Sequence, residues 1–248
     1  MNKKNNKICI LVPCFNEGKS ISQFIDELST TFPNYHIIIV NDGSTDNSAA
    51  IIKQNGKAEL LDLPVNLGIG GGVQTGFKYA KRNGYDILLR LDGDGQHPAR
   101  FGEKLIQPLL DGEADITIGS RFVEESGAFR STSIRRIGIK WFRFLNNLLI
   151  KQDITDSTSG FRAYNSKLIN FLADNYPAFD YPEPEEIILL GKNNFKIKEI
   201  SVEMKERESG KSSITSLKSV YYMLKVSFAI FMIAIRPKSD FMELNNYE

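Results

Sequence analysis

Short apolar runs alternate with helical or turn-rich segments along the first half of the chain, and this alternation limits the available folds more than any other property of the sequence. The runs are Ile8–Val12, His36–Val40, Glu59–Leu63, Asp86–Leu91 and Ala114–Gly119. Apolar runs of this length, bounded by turn residues, read as buried strands. Between them, helical spacing places Ile21, Phe24, Ile25 and Leu28 on one face of a helix over Ser20–Phe32. Asp46 suits the N-cap of a second helix reaching Lys53, and a glycine-rich loop at Gly68–Gly72 leads into a third that ends near Arg82. Strands that alternate with helices predict an α/β domain, with a mostly parallel sheet flanked by helices. Such sheets bind ligands beyond the carboxyl ends of their strands. Four of those ends carry polar residues here: Asn16-Glu17, Asp42, Asp92 with Asp94, and Ser120-Arg121. That coincidence predicts a functional site.

Charge narrows the partners. With 31 Lys+Arg against 30 Asp+Glu, the formal net charge is +1, which gives no general attraction to nucleic acid. The two cysteines, Cys9 and Cys14, form no disulfide framework or metal spacing, as expected of a reducing compartment. The apolar run after the basic N-terminus is too short for a signal-peptide core, so a cytosolic chain is expected.

Beyond about residue 125 the pattern changes. Ile134–Ile150 has helical spacing, with Ile134, Ile137, Trp141, Leu145 and Leu148 on one stripe and Arg135, Arg136, Lys140 and Arg143 around it. Two readings are open: a basic amphipathic helix on a membrane surface, or a helix packed on the sheet. Val220–Ile235 is mostly apolar but interrupted by Lys225 and Ser227, and is shorter than the roughly 20 residues of a membrane span. It is expected to lie in the membrane interface, with an ordinary core helix as the alternative. The expected organisation is a catalytic domain over 1–212 and a C-terminal helix and tail over 213–248.

Asp92-Gly93-Asp94 places two carboxylates, one residue apart, at a strand end. Such a pair suits a hard divalent cation, to which Gln96 could add an amide oxygen and His97 an imidazole. A solvated acidic turn is the plainer reading of the triplet alone. Gly68–Gly72 fails the dinucleotide spacing because residue 73 is Val, and it follows the third strand, not the first. Gly210-Lys211-Ser212 fails as a phosphate loop, because Lys205 stands where the first glycine is required. Arg162, in Thr158–Tyr164, is placed in a turn entering a helix.

Val12-Pro13-Cys14-Phe15-Asn16-Glu17, Asn41-Asp42-Gly43-Ser44 and Asp92-Gly93-Asp94-Gly95-Gln96-His97 resemble, in order and spacing, the signature of family 2 glycosyltransferases of GT-A fold. Gly119-Ser120-Arg121-Phe122, Asp156–Tyr164 and Arg207-Glu208-Ser209-Gly210-Lys211 resemble the polyprenyl-phosphate sugar transferases of the dolichyl-phosphate mannosyltransferase type. The resemblance implies that Pro13, Phe15 and Glu17 line the base and ribose of a nucleotide-sugar, and that Asp42 hydrogen-bonds the base. It implies that Asp92 and Gly93 complete the nucleotide site, and that Asp92, Asp94 and Gln96 hold Mg²⁺ or Mn²⁺. Arg121, Arg135 and Arg207, with Asp94, would serve catalysis, the arginines holding an acceptor phosphate. Two departures stand out: Asn41 replaces the first Asp of the usual pair, and Lys211 lies four residues after Arg207 with Ser213 at the sixth.

The implied reaction is metal-dependent, inverting transfer from a nucleotide-sugar, UDP-linked by expectation, to polyprenyl phosphate at the cytoplasmic face of the membrane. Its implied setting is cell-envelope polysaccharide synthesis. A small membrane protein and a second copy of the chain are further candidate partners. A lipid phosphate is already anionic and needs no base, and arginine forks suit it. A saccharide hydroxyl would need a carboxylate base, for which Glu183, Glu185 and Glu186 are candidates; alternatively, these acids pair with nearby arginines.

Overall fold

The computed structural model describes residues 6–93, 95–123, 133–150, 152–177, 182–204 and 216–236, with side chains for all but 133–140, 182 and 216–222. Its strands are β1 (Ile8–Cys14), β2 (His36–Asn41), β3 (Glu59–Asp62), β4 (Ile87–Arg90), β5 (Ile116–Ser120), β6 (Arg162–Asn165) and β7 (Ile197–Ser201). They form one seven-stranded sheet in the order β3-β2-β1-β4-β6-β5-β7. Neighbours are parallel except where β6 runs against β4 and β5. The helices are α1 (Ile21–Thr31), α2 (Ser48–Asn55), α3 (Gly68–Arg82), α4 (Gly102–Leu110), α5 (Ser133–Ile150), α6 (Ser166–Asn175), α7 (Pro182–Lys192) and α8 (Ser216–Ile235).

Side chains alternate across the sheet because successive residues of a strand face opposite ways. From β1, Cys9 and Leu11 join Val40, Phe77, Leu88, Tyr164 and Ile188 in one core. Ile10 and Val12 join Ile25, Leu28, Ile39, Leu89 and Ile106 in the other. Both faces are covered, which is why the central strands read as continuous apolar runs. The two cysteines are free and buried, and burial pushes the Cys14 thiol up to about 12.

All five expected strands form, and two expectations need correction. First, Gly68–Gly72 is not a loop: the residues are the opening of α3. Glycines let this helix press onto the sheet; a Cβ at Gly76 would stand 2.2 Å from Leu11 Cδ1. The Asp42 carboxylate accepts from the Leu67 N–H (2.7 Å) at the helix start, satisfying a donor that the helix itself leaves open. Second, Arg162 opens β6, and the helix that follows is capped by Asn165, whose side chain accepts from the Leu168 N–H. On α5, the described stripe residues Trp141 and Leu148 are exposed and Leu145 is half-buried, whereas Phe142 and Asn146 carry the buried face.

The helix α8 packs on α7 and α5, burying Val226, Ile230 and Ile233 and exposing Leu224, Phe228, Phe231 and Ile235. Its last carbonyls accept from Lys192 Nζ at Ile233 (3.0 Å) and Ala234 (2.8 Å), a favourable place for a cation. No described helix is long and apolar enough to cross a membrane. The expected boundary at 212/213 lies outside the described residues.

Candidate active site

Loops after β1 and β2 are stitched into one surface. Asn16 adopts φ +57° and turns its amide oxygen to the Thr45 N–H (2.8 Å), while its own N–H donates to Ser44 Oγ (2.9 Å). The Glu17 N–H donates to Ser48 Oγ (2.9 Å) and the Gly18 N–H to Asp46 Oδ2 (3.0 Å). Asp46 also accepts from the Ser48 N–H (2.9 Å), so it serves the start of α2 from one position before the Asn47 cap. Gly43 is required twice over: φ is +64°, and a Cβ would stand 2.6 Å from the Asn66 nitrogen. These contacts hold Pro13 buried, Glu17 half-buried and Phe15 exposed on one rim. Asp42 is buried beside them, its backbone N–H donating to the Cys14 carbonyl (2.9 Å).

The end of β4 meets the same rim. A Cβ on Gly93 would lie 3.2 Å from the Pro13 carbonyl oxygen and 3.8 Å from Glu17 Cγ. The Asp92 carboxylate is 34% exposed, and Gly160 packs on it; a Cβ there would stand 2.7 Å from Asp92 Oδ2. His97 is a support and not the imidazole ligand anticipated from sequence. Its Nδ1 accepts from the Asp92 N–H (3.0 Å) and its ring stacks on Phe161. The proton then sits on Nε2, which faces Asp92 Oδ2 at 3.7 Å. Gln96 is half-buried nearby in sequence. Asp94 and Arg207 lie outside the described residues, and Arg135 is described only as backbone of α5. Among the described residues no three His, Cys, Asp or Glu side chains converge on one point.

Arg121 is held at the end of β5. Its Nε and Nη2 donate to the two oxygens of Asp156 (2.7 Å each), and Nη2 also reaches Thr158 Oγ1 (3.1 Å). Glu199, on β7, accepts from the Thr155 and Asp156 N–H groups (2.8 Å each); burial raises its carboxyl above the ordinary value against these hydrogen bonds. The 155–160 turn therefore ties Arg121 at one end to Asp92 at the other. Asp156 and Gly160 lie within the quoted motif, but the spacing alone assigned them no task.

Behind the site lies a buried polar layer in which Glu183 and Glu186 pair with arginines, the alternative that the sequence left open for these acids. Arg90 and Arg162 stand opposite each other on β4 and β6. Arg90 Nη2 donates to Glu183 Oε1 (2.6 Å), and Arg162 Nη1 lies 3.1 Å from Glu186 Oε1. Burial disfavours the charge on Arg90, and Tyr176, Glu183 and Asp92 more than offset it, so its pKa is raised. Two of the three α7 acids are thus committed to arginines. The third, Glu185, is pushed up to about 7 by burial, opposed by Lys225 of α8.

A carboxyl raised in this way stabilises the fold below the unfolded pKa, and that contribution is lost as pH rises toward about 7. Glu185→Gln is therefore expected to lie close to the parent in Tm at pH 4.5 and to exceed it at pH 8 by roughly 6–12 °C, equivalent to about 3 kcal/mol. Paired thermal melts check it; an equal difference at both pH values would contradict the assignment.

Residues 9–172 match the family described as Glycosyl transferase family 2. The chain is 31% identical to the UDP-N-acetylglucosamine–dolichyl-phosphate N-acetylglucosaminyltransferase of Methanococcus voltae, over 75% of this chain and 80% of that one. It is 26% identical to the polyprenol monophosphomannose synthase of Mycolicibacterium smegmatis, over 91% of this chain and 87% of that one. Among solved structures, glucosyl-3-phosphoglycerate synthase from Mycobacterium tuberculosis, in complex with Mn²⁺, UDP and glucosyl-3-phosphoglycerate, matches with a TM-score of 0.70 at 19% identity. The match covers 95% of this chain and 82% of that one. That likeness is one of fold, and the fold is GT-A-like.

Proposed function

We propose, from the premise that this chain belongs to glycosyl transferase family 2, that it moves a sugar from a UDP-sugar to polyprenyl phosphate at the cytoplasmic face of the membrane, in the assembly of cell-envelope polysaccharide. The observation that carries the reading is the half-open Asp92 carboxylate at the end of β4, with the joined β1 and β2 loops beside it. The named relatives act on dolichyl or polyprenyl phosphates, which supports the acceptor class.

The donor set fits Mg²⁺ or Mn²⁺. The Asp92 side chain is 34% exposed at the cleft, and its buried Oδ1 accepts no hydrogen bond among the described residues, with Arg90 Nη2 3.5 Å away on the sheet side. Asp92, Asp94 and the Gln96 amide would hold the ion; a cation shared with substrate phosphates needs only one or two protein carboxylates. Bound there, it supplies Lewis-acid neutralisation of the departing diphosphate. Pro13, Phe15, Glu17 and Asp42 orient the base and ribose, with Gly93 leaving room beside them. Arg121, Arg135 and Arg207 hold the acceptor phosphate. Its anionic oxygen attacks without a base, on the face opposite the leaving group, so the anomeric configuration inverts. A hydroxyl acceptor finds less support, because Glu183 and Glu186 are engaged by Arg90 and Arg162 and Glu185 is buried toward Lys225 of α8.

A lipid acceptor calls for a membrane-facing surface. The helices α5 and α8 are joined by Trp141 Nε1 donating to Ser227 Oγ (2.8 Å), and Phe144, Leu148, Leu224, Phe228 and Phe231 are exposed on them. Exposed apolar side chains gathered on two joined helices mark an interaction surface. The reading assigns it to the lipid surface; a small membrane protein or a second copy of the chain are the competing occupants. The test is incubation of the full chain with UDP-, GDP- and dTDP-sugars, Mn²⁺ and polyprenyl phosphate in vesicles. A lipid-linked sugar is expected with a UDP donor. No lipid product from any donor would overturn the reading, and a product from GDP- or dTDP-sugar alone would overturn the donor.

A further inference from the structure

Arg90 is a fully charged side chain at the end of a central strand, and only 1% of it is exposed. A buried guanidinium persists only where acids compensate it, so its partners define its role. One nitrogen, Nη2, faces two carboxylates: Glu183 Oε1 at 2.6 Å and Asp92 Oδ1 at 3.5 Å. Nη1 donates to the Tyr176 hydroxyl (3.3 Å), whereas the buried Nε has no hydrogen-bond partner among the described residues. The guanidinium is thus aimed at the two acids at the expense of its own full satisfaction. The neighbouring pair, Arg162 with Glu186, is equally buried, but Arg162 spends its remaining donors on the backbone carbonyls of Ser159, Ser157 and Glu183. Arg90 differs in that its second acid belongs to the candidate site.

We propose that Arg90 is a positioning residue for the transfer reaction: anchored by Glu183, it holds Asp92 Oδ1 from inside the sheet and fixes how the carboxylate is presented to the cleft. The helix α7, which carries Glu183, thereby sets the geometry of a strand it does not belong to. Gly160 and His97 border the same carboxylate, so its orientation is constrained on three sides. The proposal rests on the reading of Asp92 as a cation ligand. Groups that orient a metal ligand from behind change metal affinity or activity about 10- to 100-fold when removed.

The test measures Mn²⁺ binding to the full chain in the presence of UDP, from loss of the free-ion electron paramagnetic resonance signal, with Tm recorded alongside. Arg90→Met alone would strand Glu183, so the informative variant is Arg90→Met with Glu183→Met. It removes one charge of each sign and leaves the sum beside Asp92 unchanged; replacing a buried pair by apolar residues is often neutral for stability. The expected result is a Tm close to that of the parent and a Kd for Mn²⁺ raised about 10- to 100-fold. A second variant, Glu183→Gln, keeps the contact but leaves Arg90 uncompensated against Asp92, and weaker Mn²⁺ binding is expected again. Parent-like Mn²⁺ affinity in a folded double variant overturns the proposal, as does parent-like affinity in Glu183→Gln if the double variant does not fold. A parent chain that binds no Mn²⁺ with UDP overturns the cation reading itself.

Discussion

Asp92→Asn is expected to lower transferase turnover by about 100- to 1,000-fold, a loss of roughly 3–4 kcal/mol of transition-state stabilisation, with little change in Tm. The catalytic loss follows from removing a charged oxygen ligand where a diphosphate leaves. The small stability effect follows from the surroundings. Arg90 keeps its 2.6 Å contact with Glu183, the His97 Nδ1 contact is made to the backbone of residue 92, and asparagine preserves the shape that Gly160 accommodates. The substitution should also raise the Mn²⁺ concentration that gives half-maximal rate. Steady-state rates and thermal melts on the same preparation check both halves; an unchanged rate would remove Asp92 from the chemistry.

Arg162→Met is expected to act on the fold, costing about 3–5 kcal/mol, or roughly 10 °C in Tm. Arg162 is completely buried. It donates to the carbonyls of Ser159 (2.7 Å), Ser157 (2.9 Å) and Glu183 (3.2 Å), and its charge answers Glu186, itself 0% exposed. Methionine fills the volume but leaves a buried carboxylate without a counter-charge. Adding Glu186→Met should recover part of the loss but not all of it, because the three carbonyls stay unsatisfied. Urea unfolding of the two variants checks the cycle. A single variant within 1 kcal/mol of the parent would show that the pair contributes little.

These arginines also show where the sequence was legible and where it was not. The five apolar strands were readable because both faces of the sheet are covered, so nothing interrupts the hydrophobic run. The strand β6 reads Arg-Ala-Tyr-Asn and has no such run; it is buried because Glu186 and three carbonyls answer Arg162, contacts that are distant in sequence or local to a turn. The edge strand β7 reads Ile-Lys-Glu-Ile-Ser, with neither an apolar run nor a strict alternation, a weaker signal. The glycines at 68–72 were misplaced because glycine is shared by loops and by helices that approach a sheet closely, and only the approach of Gly72 to Val40 and Asp42 at the end of β2 distinguishes them. The site was readable in part. Asp42 and Asp92 could be placed at strand ends from the pattern alone, and the structure puts both just beyond the carboxyl ends of β2 and β4, the side on which such sheets bind ligands. Asp156, Gly160 and Glu199, which brace Arg121 and Asp92 from behind, act through contacts that no local pattern encodes.

The most direct measurement is a crystal of the full chain grown with Mn²⁺ and UDP, with diffraction recorded at a wavelength where manganese scatters anomalously. The account predicts a single strong peak in coordination contact with the Asp92 carboxylate, the diphosphate on its far side and the uracil ring between the Pro13–Glu17 loop and Asp42. UDP bound with no manganese at Asp92, or manganese bound elsewhere while Asp92 stays turned toward Arg90, would contradict it.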